Sequence, residues 1–204
     1  MMTLTTAQAP SLCGLLEAAA AAGLTVSSSA AWPGARDAAE PAPLAGFIDS
    51  TFSPLVAEVA GRALMRARGE PAPSGPATVS GPVTAIVLVT ALGDVTSATR
   101  VAAAVDAGAR VPPLHFFQSV PNAVAGYLAA RWHLTGPVVC VSSTAAGLGV
   151  ATLLIEDADA DEALVVRIDL AVTDGDRDSA AAILVTGPAS RNALESHEPE
   201  GRKQ

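Results

Sequence analysis

Apolar residues in this chain fall into short runs separated by glycine and proline, and the runs predict its elements. Leu12 to Ala22, rich in alanine, predicts a helix that Gly23 ends at its C-cap. Leu24 to Ala30 predicts a strand, although Ser27, Ser28 and Ser29 lie inside it. The Pro-, Gly- and Ala-rich stretch from Trp32 to Leu44 predicts a loop. Ser53-Pro54 opens a helix that runs to about Arg68, with Leu55, Val59 and Met65 among its apolar positions. Pro71, Pro73 and Pro76 make Glu70 to Gly81 a second loop. Thr84 to Thr90 reads TAIVLVT; its inner positions are all apolar, which predicts a central strand covered on both faces. After Gly93-Asp94 a helix runs to Ala107 and Gly108 closes it.

The stretch from Val111 to Ala151 organises the rest. Val111-Pro112-Pro113 is expected to be extended, because a residue before proline is pushed out of the helical region. Pro121 to Trp132 predicts a helix of small and apolar residues, with Pro121 suited to its first turn. Gly136-Pro137 breaks it, and Val138, Val139 and Val141 form a short β-branched strand. Ser142, Ser143 or Thr144 caps a helix that starts near Ala145 and ends near Asp157. Glu162 to Asp169 and Ser179 to Thr186 predict two further strands, joined by Asp174-Gly175-Asp176 as a hairpin turn. Strands alternating with helices and closing on two successive strands imply a layered α/β domain with one antiparallel edge. The expected division is a helical segment over 1–23, the α/β domain over 24–187 and a disordered polar tail over 188–204.

Composition narrows the function classes. Half of the 204 residues are hydrophobic but only 3% are aromatic, so the core is built from Ala, Val and Leu. A net charge of −8 and the lack of a basic stripe argue against a nucleic-acid partner. Cys13 and Cys140 suggest no disulfide framework, so a reducing cytoplasm is the expected home. Glu17 inside the N-terminal apolar stretch makes it a poor signal peptide. No apolar run approaches the roughly 20 residues that span a bilayer, so no membrane partner is expected.

A strand running into a tight turn and a helix N-terminus is a common place for a nucleophile, because the helix dipole stabilises negative charge there. Here the head of that helix is Ala145. Ser142, Ser143 and Thr144 lie nearby without a G-x-S-x-G frame, and helix capping accounts for them. Gly147-Leu148-Gly149 sits within the helix rather than before it, which suits close packing on the sheet better than a dinucleotide loop. His115 and His133 have no metal-ligand spacing around them. Asp157, Asp159, Asp161 and Glu162 lack the glycine and terminal glutamate of an EF-hand and suit a solvated loop. No cofactor or metal is implied. Phe116, Phe117, Tyr127 and Trp132 concentrate most of the aromatic residues of an aromatic-poor chain, as a protein contact or a tunnel wall requires.

The run from Phe117 to Gly126 (FQSVPNAVAG), then Gly136-Pro137 and the valine strand, resembles the N-terminal half of a β-ketoacyl synthase. EALVVRIDLA resembles that family's strand after the nucleophile helix, and DSAAAILVTG its closing strand. The resemblance covers roughly 24–187. It implies a single thiolase-type half, a layered α/β/α domain with a five-stranded mixed sheet in the order 3-2-1-4-5. Aligned through Gly136-Pro137, the family's active cysteine falls on Ala145, while Cys140 lies inside the strand and is expected to be packed. The family's catalytic histidines belong to a C-terminal half, and only 17 residues follow residue 187. The chain therefore resembles the chain-length factor, the silent partner of a ketosynthase in type II polyketide systems, in the shortened form of highly reducing, polyene-making systems. The resemblance implies a heterodimer with a full-length ketosynthase through Val138, Val139, Cys140, Val141 and Ser142. It also implies an acyl tunnel lined by Asn122, Ala125, Gly126 and Ala129, with Phe117 near its mouth. An acyl carrier protein would dock mainly on the partner, since both proteins are acidic. Two rival readings are a small α/β hydrolase or acyltransferase using Ser142, Ser143 or Thr144, and a homodimeric acyl-binding scaffold.

Overall fold

The computed structural model describes residues 12–35, 37, 40–47, 50–71, 81–172 and 177–188. The expected loose segment 1–10, most of the proline loop, the Asp174-Gly175-Asp176 turn and nearly all of the polar tail lie outside the described residues. The elements are α1 (Leu12–Ala21), β1 (Thr25–Trp32), α2 (Phe52–Arg68), β2 (Thr84–Val89), α3 (Val95–Asp106) and α4 (Pro113–Gln118). They continue with α5 (Pro121–Trp132), β3 (Val138–Val141), α6 (Thr144–Glu156), β4 (Glu162–Asp169) and β5 (Ser179–Thr186). Where the sequence predicts an element, the structure has one. It adds α4: Pro112 is extended as expected, with ψ 137°, but Pro113 stands in the first turn of a six-residue helix. A Pro-Pro pair thus acts as a helix entry here, because the second proline's fixed φ is already helical.

The five strands form one mixed sheet, β1-β5-β4-β2-β3. β3, β2 and β4 are parallel neighbours, and β5 runs antiparallel to both β4 and β1. Counted along the chain from the β3 edge the order is 3-2-4-5-1, so β1 lies beside β5 rather than between β2 and β4 as the expected 3-2-1-4-5 has it. Its serines explain the edge position. β2 is buried at every position and β4 and β5 nearly so, whereas β1 buries only Ala30 and Trp32. A bulge between Val26 and Ser28 breaks the alternation of β1, and the Ser28 hydroxyl caps the Ala63 carbonyl of α2 at 2.9 Å.

Each face of the sheet carries a helical layer. Ile86, Leu88, Leu164, Val166 and Leu184 pack with Phe52, Leu55, Val59 and Leu64 of α2 and with Val124, Ala125 and Leu128 of α5. Val87, Val89, Val165, Ile183 and Val185 pack with Leu15 of α1 and Leu148 of α6. Met65, an expected apolar position of α2, is 42% exposed on that helix's outer side. Glu162, at the start of β4, accepts from the Thr84 hydroxyl at 2.7 Å and pairs with Arg68, so its burial is compensated.

Two glycines fix how closely the layers meet around β3. A Cβ on Gly136 would stand 2.5 Å from the carbonyl carbon and oxygen of Thr84, so only glycine lets the chain enter β3 against β2. A Cβ on Gly147 would stand 2.5 Å from Val89 Cγ2, which places α6 directly on the sheet. The expectation of close packing at Gly147 holds; Gly149, by contrast, faces open space.

Candidate functional site

The site is assembled from β3, the turn that follows it and the first turn of α6, with α5 alongside. Ser143 is the N-cap of α6: its hydroxyl accepts from the Ala146 amide at 3.2 Å. The Thr144 hydroxyl accepts from the Arg167 guanidinium at 3.0 Å, and Arg167 Nε donates to Asp169 at 3.1 Å. Two of the three candidate hydroxyls are therefore engaged in capping and in an arginine contact, and Ser142 is exposed in the turn. Neither histidine lies near any of them by bond or ion pair among the described residues. Ala145 is exposed in the first turn of α6 and offers only a methyl group.

Cys140 differs from its expected place. Its side chain is exposed rather than packed. The reason is topological: β3 is an edge strand with β2 as its single neighbour in the sheet. Val138 and Cys140 pair with Ile86 and Leu88 and share their face, while Val139 and Val141 share the face of Val87 and Val89. The α5 side of β3 is thus left open, with Val138 38% exposed. Partial desolvation pushes the Cys140 thiol above its ordinary pKa, the reverse of what activates a cysteine nucleophile.

α5 carries the predicted stripe of small residues, and the structure divides it. Ala125 is fully buried with Val124 and Leu128 in the core, Ala129 is half-buried, and Asn122 and Gly126 are exposed. A Cβ on Gly126 would meet no atom within 4 Å. The open part of the stripe is therefore Asn122 and Gly126, and the methyl of Ala125 faces protein. Phe117 is 73% exposed and Val120 53% exposed at the head of α5. Tyr127 turns inward, edge-on to Phe47 with ring centroids 6.2 Å apart. His133 ends α5 in a left-handed conformation with φ 53°, a C-cap role.

Two carboxylates of the acidic run near β4 are engaged in structure, while Asp157 and Asp159 are exposed as a solvated loop requires. Asp161 accepts from the Val83 amide at 2.7 Å, Glu162 is paired as above, and Asp157 is the C-cap residue of α6. Among the described residues no group of three or more metal-ligating side chains is found, and no helix is long and apolar enough to cross a membrane.

No family model matches the sequence, and no curated protein matches it by sequence. Solved structures do match by fold. A ketosynthase (ApeO) in complex with its chain length factor (ApeC) from Xenorhabdus doucetiae matches with a TM-score of 0.58 at 18% identity, over 81% of this chain and 79% of that chain. The ishigamide ketosynthase/chain length factor matches with a TM-score of 0.56 at 20% identity, over 73% of this chain and 47% of that one. The chain thus spans about half the length of the second, while it and the matched chain of the first are nearly equal in length. Its fold is ketosynthase-like, a single layered α/β/α half.

Proposed function

We propose, from a ketosynthase-like half as the premise, that this chain is a chain-length-factor-type subunit, silent by itself, that pairs with a full-length ketosynthase and shapes its acyl tunnel. The observation that carries the proposal is Ala145. It stands exposed at the head of α6, where the resembled family has its nucleophile, and an alanine forms no acyl-enzyme. Ser143 and Thr144 do not substitute for it, because their hydroxyls are held by the cap and by Arg167.

The open edge of β3 supports a partner. An exposed strand edge is a template for pairing, and Val138 to Ser142 is the segment that would meet the ketosynthase antiparallel. Asn122 and Gly126 supply the open part of the tunnel wall beside it, with Ala129 further along and Phe117 at the mouth. Ala125 supports this wall from within the core. Small residues there suit a long unbranched chain, as in highly reducing type II systems that make polyenes. The carrier protein docks mainly on the ketosynthase, since this chain carries a net charge of −8. Assembly takes place in the cytoplasm.

Co-expression with a ketosynthase tests the reading. The pair should elute as a stable heterodimer burying upwards of ~2,000 Å², the range of obligate interfaces. Cys140→Lys puts a charge on the open edge without touching the core and should abolish the complex while the chain stays folded. The chain alone should show no condensing or thioester-cleaving activity. A monodisperse monomer that ignores the ketosynthase, or turnover by the isolated chain that is lost in Ser142→Ala, would overturn the reading.

A further inference from the structure

A second cleft lies away from β3, at the opposite edge of the sheet, where β1 ends, α2 begins and β5 starts. Trp32, Phe47, Pro41 and Pro43 give it apolar walls, Glu40 and Asp178 contribute carboxylates, and it encloses about 250 Å³. The loop forming one wall is fastened to the helix layer. Asp37 accepts two hydrogen bonds from Arg62, at 2.8 and 2.7 Å, and one from the Gly34 amide at 2.6 Å. Phe47 is fixed edge-on to Tyr127. Asp178 accepts from the Ala171 amide through Oδ1 at 2.7 Å. Phe47 and Asp178, two of the lining side chains, are thus held by contacts outside the cleft, and no step proposed for the β3 site uses it.

We infer that this cleft binds the cationic head of an alkyl stem, an ammonium or guanidinium seated between the Glu40 and Asp178 carboxylates with its methylenes against Trp32 and Phe47. Aromatic faces and carboxylates around one small apolar space attract a cation by the ring quadrupole and by charge. The start of α2, which lines the floor at Ser50, Thr51 and Pro54, would ordinarily favour an anion. That preference is blunted here. The Ser53 amide is already taken by the Ser50 hydroxyl at 2.9 Å, and Pro54 has no amide hydrogen to offer. The two carboxylates then decide the sign. The volume suits one lysine- or arginine-sized head and stem, whether carried by a partner protein or by a free amine.

The inference does not depend on the ketosynthase reading, and the full chain is the sample. Trp132→Phe leaves Trp32 as the sole indole of the chain, since there are two tryptophans. Butylammonium and butylguanidinium should then change Trp32 emission saturably, while 1-butanol, the neutral isostere of butylammonium, should not. Glu40→Gln with Asp178→Asn, which keeps the Asp178 acceptor for Ala171, should weaken binding by about tenfold or more, the loss expected of a partly desolvated cation site. An acetylated, amidated Gly-Lys-Gly that binds as well as butylammonium assigns the cation to a protein side chain; binding of the free amine only assigns it to a small molecule. Lack of saturable binding at tens of millimolar, equal binding of the alcohol, or unchanged binding in the double variant would overturn the inference.

Discussion

The division of the α5 stripe between core and open space yields a paired experiment at adjacent residues. Gly126→Leu places a side chain where nothing lies within 4 Å of the new Cβ. It also replaces glycine in the middle of a helix, which by itself should add about 0.5–1 kcal/mol of stability. For a chain of this size that corresponds to a rise in Tm of roughly 1–4 °C. Ala125→Phe does the reverse. Ala125 is fully buried among Val124, Leu128 and the α2 side chains, so added bulk must displace packed atoms at a cost of about 1–3 kcal/mol. The expected fall in Tm is roughly 2–12 °C.

Function separates the two further. If the open stripe forms the tunnel wall, Gly126→Leu in the reconstituted pair should shorten the carrier-bound products by one or more extension units, read by mass spectrometry, with the complex intact by gel filtration. Ala125→Phe should lower the yield of complex before it alters product length. An intact Gly126→Leu pair with an unchanged product distribution would refute the placement of the tunnel. An Ala125→Phe variant as stable as the parent would refute the packing argument beneath it.

Three further outcomes follow from other positions. Gly136→Ala drives a Cβ into the Thr84 backbone, so it should cost at least the ~1–3 kcal/mol of ordinary overpacking and, by displacing β3, also lose the ketosynthase complex; thermal melts and gel filtration read both. Gly147→Ala, whose Cβ would meet Val89, should lower Tm, whereas Gly149→Ala two residues on, facing open space, should raise it by the helix-propensity gain of about 0.5–1 kcal/mol. The Arg62 guanidinium holds the Asp37 carboxyl at about 2 against an ordinary 3.8, so its contribution to stability is present above about pH 4 and is lost as pH falls toward 2; Asp37→Asn should flatten the acid limb of a Tm-against-pH curve over that window and leave the neutral side parallel to the parent.

Much of the fold was legible because its punctuation is chemical. Gly23 and Gly108 take positive φ just past α1 and α3, and Asp94 caps α3 through the Ser97 amide at 3.1 Å, so sequence breakers and element ends coincide. The bounds of β4 and β5 follow from the same logic. What periodicity does not carry is the side-by-side order of strands. A four-residue valine-rich run reads alike at a sheet's centre and at its edge, so its pattern predicts a packed Cys140 where the structure exposes it. A stripe at i, i+3, i+4 and i+7 places Asn122, Ala125, Gly126 and Ala129 together, yet only the crossing of α5 over the core decides that Ala125 turns inward. The cleft between Trp32 and Asp178 had no local signal at all, since its walls come from opposite ends of the chain.

The two edges of the sheet receive different treatment, and the difference bears on which one meets a partner. On β1, the Ala31 carbonyl accepts from Arg62 at 3.2 Å and the Ser29 carbonyl accepts from Arg66, while Ser27 and Ser28 direct their hydroxyls to the Leu184 and Ala63 carbonyls. Capping outer carbonyls with arginine from a neighbouring helix takes away the acceptors that an incoming strand would use. β3 has no such side-chain cap among the described residues, and its exposed side chains are Val138 and Cys140, neither charged. Exposed Val120 and Phe117 lie at the head of α5, the helix that packs beside it. If the chain pairs through a sheet edge, as proposed, the edge closed by two arginines is poorly suited to it, and the bare, apolar edge that leads into Ala145 is the one that offers free acceptors.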